Sequence, residues 1–144
     1  MSSSPRRRSR EFALQGLYQW LLSATEPATI RAQLADSGGF AKCDAAFFDA
    51  LWQGVSSDFE PLLAAVTPHL DRPPRELSPI EKAALVIAAW ELLRCPEIPY
   101  RVVIDEAVEL TKAYGATDGY KFVNAVLDKL AATVRAPEVS AARV

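Results

Sequence analysis

One histidine and two cysteines in 144 residues leave little from which to build a metal cluster or a disulfide framework. Cys43 and Cys95 stand far apart in the sequence, and each is expected to be a buried thiol. Long hydrophobic runs are missing as well. No stretch approaches the ~18 uninterrupted apolar residues of a membrane span, and Glu11, Gln15 and Gln19 interrupt the apolar residues that follow the basic start, so no signal core forms there. A cytoplasmic protein is expected. Strand-like alternation is absent, and so is a glycine-rich nucleotide loop after a strand. The 50% hydrophobic content can fill a core, but 144 residues are few for two ordinary domains, so a single domain over residues 1–144 is expected.

What the chain does have is segregated charge. Arg6, Arg7, Arg8 and Arg10 lie within five positions, in a chain of 16 basic and 18 acidic residues. Setting the four arginines aside leaves 12 basic against 18 acidic residues, an anionic body behind a cationic terminus. Such asymmetry is an electrostatic handle for a polyanion, and RNA is the natural candidate. Residues 1–6 are expected to form a flexible basic arm and residues 136–144 a frayed tail.

Helical periodicity runs almost throughout. A first helix is expected from Arg7 to Ser23, with Ala13, Leu14, Leu17, Trp20, Leu21 and Ala24 as its apolar stripe. A short helix over Ala28 to Ala35 ends at Ser37-Gly38-Gly39, after which Asp44 opens a segment carrying Phe47, Phe48, Leu51, Trp52 and Val55. A further short helix from Asp58 to Val66 stops where Pro68, Pro73 and Pro74 oppose its continuation. Ser78-Pro79-Ile80-Glu81 reads as a capping box with proline at the first helical position. The helix it starts is apolar nearly all round from Ala83 to Leu93, with Glu91 as its one charge, and is expected at the centre of the fold. The next helix, Tyr100 to Tyr114, places Val102, Val103, Ala107 and Leu110 inward and is closed by Gly115. The last, capped by Thr117 or Asp118, has Val123, Val126, Leu127, Leu130 and Val134 on one stripe. Helices joined by short turns make an all-α bundle the natural architecture.

Several blocks along the chain resemble one family. They are Arg6-Arg7-Arg8-Ser9-Arg10-Glu11, Ala13-Leu14-Gln15-Gly16-Leu17-Tyr18, Ile80-Glu81-Lys82-Ala83, Ile98-Pro99-Tyr100, Asp105 to Leu110, and Lys121-Phe122-Val123-Asn124-Ala125-Val126-Leu127-Asp128-Lys129. Together they resemble the NusB family of bacterial transcription antitermination factors over essentially the whole chain. The resemblance implies two packed three-helix bundles and a function without catalysis. It implies binding of boxA RNA as a heterodimer with NusE, a small-subunit ribosomal protein, in a complex that helps RNA polymerase to resist termination during rRNA transcription. No cofactor is implied.

By this resemblance Arg6, Arg7, Arg8 and Arg10 serve RNA, and arginine can both contact phosphates and stack on unpaired bases. The alternative for them is a solubilising terminus. Tyr18 and Glu81 match positions used against NusE, although Tyr18 also borders the core stripe and Glu81 can complete the Ser78 cap. Phe122 and Asp118 match RNA-site positions. From the residues alone, Phe122 is equally a half-buried core ring and Asp118 a plain N-cap. Lys121 and Lys129 are possible phosphate contacts or solvated lysines. One departure stands out: Val86 occupies a position where relatives carry arginine, which puts any contact from there in doubt.

Catalysis is poorly supported. Asp105, Glu106 and Glu109 could mimic a carboxylate cluster but are expected on an outer face, without histidine or cysteine nearby in sequence. An alternative reading is a non-catalytic RNA-binding module related to the N-terminal domain of rRNA methyltransferases, with no cofactor-binding domain expected to follow. A phosphorelay through His69 is disfavoured by the prolines around it.

Overall fold

The structure, a computed structural model, describes residues 4–143. Among these residues the regular elements are all helical: α1 (Pro5–Ser23), α2 (Pro27–Ala35), α3 (Ala45–Ser57), α4 (Phe59–Val66), α5 (Pro79–Arg94), α6 (Tyr100–Tyr114), α7 (Gly119–Val134) and α8 (Ala136–Ala142). Short 3-10 turns carry the chain between α2 and α3 and between α4 and α5. Helix α1 packs on α2 and α3, while α5, α6 and α7 form a second group against which α4 lies. This is the expected pair of three-helix bundles, joined because α1 also packs on α5 and α6. No helix among the described residues is long and apolar enough to cross a membrane.

Helix α5 takes the central place that its composition requires. Every residue from Ala83 to Leu92 is buried, including Glu91. Its start is fixed by the capping box: the Glu81 amide donates to Ser78 Oγ at 3.1 Å, and the Ser78 amide donates back to Glu81 Oε1 at 3.2 Å. Val86 is fully buried, so that position presents no side chain to a ligand. Where α3 crosses α5, Gly54 faces the indole of Trp90, and a Cβ there would overlap the ring. Its missing side chain lets the two helices approach.

Some expectations need correction. Helix α1 begins at Pro5, so residues 5 and 6 belong to a helix rather than an arm; residues 1–3 lie outside the described part. The cause is a second serine–proline start. Ser4 caps the helix by accepting from the Arg7 amide at 3.1 Å, with Pro5 at the first helical position. The Ser9 hydroxyl then ties α1 to the entry of α3, donating to the Asp44 carbonyl at 2.8 Å and accepting from the Asp44 amide at 3.0 Å.

The tail is also ordered. Arg135 is buried and donates to the carbonyls of Leu92 (2.9 Å), near the end of α5, and of Cys95 (2.9 Å) and Ile98 (3.0 Å), in the turn that follows. Glu138 pairs with Arg135 at 2.7 Å and accepts from the Tyr100 amide at 2.8 Å, supplying the cap that Pro99 cannot give to α6. Val139 is buried beside them, so α8 is pinned; Val144 lies outside the described part.

Smaller shifts affect the stripes. Val102 is exposed and Ile104 takes the inward position, while Ala24 is exposed and Phe12 is buried. Of the two thiols, Cys95 is buried and Cys43 only partly so. Gly115 ends α6 in an extended conformation rather than a left-handed one.

Candidate nucleic-acid interface

The four arginines occupy four different environments. Arg10 is inside the protein, its side chain 4% exposed, with Nε 2.8 Å and Nη2 2.7 Å from the two carboxylate oxygens of Glu91, itself 1% exposed. Burial opposes the charge on Arg10, but the Glu91 and Glu106 carboxylates outweigh it and hold the guanidinium protonated. Burial likewise pushes the Glu91 carboxyl up, with the Arg10 fork limiting the rise. Arg10 is therefore a structural cation, and the expectation that it faces RNA is corrected: a single carboxylate on a buried helix has to be neutralised from within.

Arg7 lies at the edge of the same network. Its Nη2 meets Glu106 Oε2 at 2.6 Å and its Nε meets Oε1 at 3.0 Å, yet 41% of the side chain remains exposed. The hydrogen bonds that Arg7 donates to Glu106 raise the Arg7 pKa. Glu106 also touches Arg10 at 3.4 Å, and its side chain is only 14% exposed, so it is not the solvated outer-face acid expected. Burial works against the Glu106 charge, but the Arg7 hydrogen bond and the charges of Arg10 and Arg7 hold its pKa below the usual carboxylate range. Arg6 stands 4.5 Å over the Phe47 ring and 3.5 Å from Asp44, half exposed. Arg8 is partly exposed and joins no ion pair among the described residues.

From Arg7 a seam between α1 and α6 leads away from the arginines. Its first hollow, about 130 Å³, is lined by Arg7, Glu11, Glu106, Glu109, Leu110 and Ala113. A second, more apolar hollow of about 310 Å³ is lined by Leu14, Gln15, Tyr18, Ile80 and Tyr114. Tyr18 and Tyr114 are each more than 40% exposed here, two large rings at the edge of an apolar recess. Beyond Tyr114, the α6–α7 loop borders a third hollow lined by Lys112, Gly115, Ala116, Thr117, Asp118 and Tyr120.

Glu81 connects the second hollow to the third. It follows Ile80 in sequence, and a Cβ on Gly119 would stand 3.1 Å from its Oε2, so the carboxylate lies directly against the start of α7. Asp118 precedes that glycine in a left-handed conformation, φ 68°, and gives α7 no side-chain cap. Its carboxylate pairs instead with Lys121 at 3.3 Å, both side chains about two-thirds exposed. The expected capping role of Asp118 is thus replaced by a solvent-facing one. Phe122 sits one turn further along α7, partly buried against the core, with Arg72 over its ring at 4.2 Å. Tyr18, Glu81, Asp118 and Phe122, scattered in sequence, consequently meet along one side of the molecule. Arg72, Ile80 and Tyr114 belong to this surface without having been singled out from the sequence. Only a proline-rich turn flanked Arg72, and nothing there signalled an aromatic partner some fifty positions away.

The NusB family model matches residues 7–132. The chain belongs to the NusB family. A NusB relative from Ralstonia pickettii (strain 12J), named transcription antitermination protein NusB, is 58% identical over 142 residues, covering 99% of this chain and 92% of the relative. The protein of the same name from Burkholderia ambifaria (strain MC40-6) is 54% identical, covering 99% of each chain. Among solved structures, T. maritima NusB aligns with a TM-score of 0.78 at 28% identity, covering 91% of this chain and 92% of that one. A chain of the crystal structure of antitermination factors NusB and NusE in complex with dsRNA aligns with a TM-score of 0.78 at 24% identity, covering 86% and 93%. That last likeness speaks to the NusB fold alone.

Proposed function

We propose that the protein is a transcription antitermination factor that binds boxA RNA together with NusE and thereby supports rRNA transcription by RNA polymerase in the cytoplasm. The observation that carries this reading is the 58% identity, over nearly its whole length, to a protein named for transcription antitermination. The work is binding rather than catalysis. In this reading Arg6, Arg7 and Arg8 meet the transcript, with Asp118 and Phe122 at a second point of RNA contact; Tyr18 and Glu81 face NusE. Arg10 supports the others from inside.

The apolar hollow at Tyr18 suits a protein partner, since aromatic rings in a recess contribute most to such interfaces. The partly exposed arginines suit phosphate, and their small number implies weak binding by this chain alone. A titration of labelled boxA RNA with and without NusE tests the reading. Affinity should rise when NusE is present and fall for a scrambled sequence; equal affinity in all arms would refute it. Arg8→Ala should flatten the salt dependence by about 0.7, the contribution of one phosphate contact to single-stranded RNA. Glu81→Gln retains an acceptor for the Ser78 cap while removing the charge, so it should weaken NusE pairing without moving the thermal transition.

A further inference from the structure

We propose that Arg72 is a nucleobase platform of the RNA site, so that an unpaired base stacks on its guanidinium instead of directly on Phe122. This rests on the RNA-binding reading and gives it a residue to which that reading assigned nothing. The Arg72 guanidinium carbon lies 4.2 Å from the centroid of the Phe122 ring, and that ring is otherwise packed against the core. The face of Phe122 that a base would need is therefore already covered by a cation. A base arriving at this point meets guanidinium first.

The group is held in a way that leaves it usable. Asp71 takes Nε at 2.7 Å and Nη2 at 3.3 Å, engaging one edge of the planar fork. A guanidinium has five N–H donors, so two bonds to Asp71 leave three to meet a base edge or a phosphate. The Arg72 side chain is 38% exposed, and Asp71 is 64% exposed, so the pair stands at the surface and does not close it. The Asp71 hydrogen bond raises the Arg72 pKa, and Glu81 and Glu76 are near enough to add to that rise. Arg72 thus stands against the Phe122 ring, within reach of the charge of the Glu81 carboxylate, on the side where the proposed RNA and NusE surfaces adjoin. Stacking of a base on such a plane tolerates any sequence, while the three remaining donors favour bases with exposed acceptors, guanine above all.

The test compares the full chain with Arg72→Lys, Arg72→Ala and Arg8→Ala, each paired with NusE and titrated with boxA RNA across a range of salt, with thermal unfolding measured alongside. Arg72→Lys keeps the charge but loses the plane and the fork. It should bind about tenfold more weakly, the order of one base stack, with an unchanged salt slope. Arg72→Ala should lose at least as much affinity and also about 0.7 of the slope. Unfolding should barely move in either variant, because the pair with Asp71 is exposed.

Wild-type affinity in Arg72→Lys would overturn the platform and leave Arg72 as a point charge. Tighter binding in Arg72→Ala would overturn it too, making Arg72 a cover that RNA must displace. In both cases a weakened Arg8→Ala would leave the RNA reading standing. If the unsubstituted protein with NusE fails to prefer boxA over scrambled RNA, the underlying reading fails and the platform with it.

Discussion

Replacing Arg10 with alanine would leave Glu91, 1% exposed, as a carboxylate without a cation in the interior. The two hydrogen bonds of 2.8 and 2.7 Å would go, and so would the packing of the guanidinium over Phe47 at 5.1 Å. Breaking a buried pair from one side costs about 3–5 kcal/mol, because the remaining charge keeps its desolvation penalty and loses its compensation. For a chain of this length roughly 2–4 °C of melting temperature accompanies each kcal/mol, so Arg10→Ala should melt some 6–20 °C lower. Circular dichroism melts and urea titrations measure this. Arg8→Ala, at a partly exposed position, should stay within about 0.5 kcal/mol of the parent. A double variant, Arg10→Met with Glu91→Leu, removes both charges at similar volume and should recover most of the loss. The reasoning would be refuted if Arg10→Ala melted with the parent while losing RNA affinity as Arg8→Ala does, since Arg10 would then be acting at the surface.

Two further outcomes follow from the same packing. The pKa of Glu106 is held below its ordinary value of 4.5, so its contribution to stability is full at neutral pH and is lost as the pH falls through the depressed value. Urea midpoints of Glu106→Gln should therefore lie well below the parent's at neutral pH and converge with them in acid; a constant gap would show that charge is not the cause. Gly54→Ala would drive a methyl group into the Trp90 indole and should destabilise by about 1–3 kcal/mol, as overpacking does. Combining it with Trp90→Leu should cost less than the two changes summed, and strict additivity would count against the contact.

The all-helical class, most helix boundaries and the place of α5 were legible because each rests on local pattern: periodicity, proline and glycine breaks, and the Ser78 box. The Ser4 start carries only part of that pattern. Ser4-Pro5 repeats the geometry of Ser78-Pro79, but its third helical residue is Arg7 where the other has Glu81, so the reciprocal half of the box is missing. Arg10 was harder still. Its position beside three other arginines suggested one shared role, and only contacts 81 and 96 residues away in sequence separate it from them. A clue was present: Glu91, the one charge in the apolar stretch from Ala83 to Leu93, implied a cation somewhere in the interior. The pinned tail has no local signature either, since Arg135 acts on carbonyls some forty residues earlier. Tyr18, Glu81, Asp118 and Phe122 were singled out individually, but their meeting on one side depends on how α1, α5 and α7 pack, which no local pattern encodes.

If the leading arginines meet RNA as proposed, the stitching of Ser9 to Asp44 bears on the economy of that capture. Because the leading guanidinium groups project from a helix already bolted to its neighbour, their backbone is ordered before any transcript arrives. A loose leader would surrender about 1–2 kcal/mol of backbone freedom for every residue immobilised on docking. Here that loss is met when the chain folds, so even a few partly shared cations can convert more of their attraction into affinity.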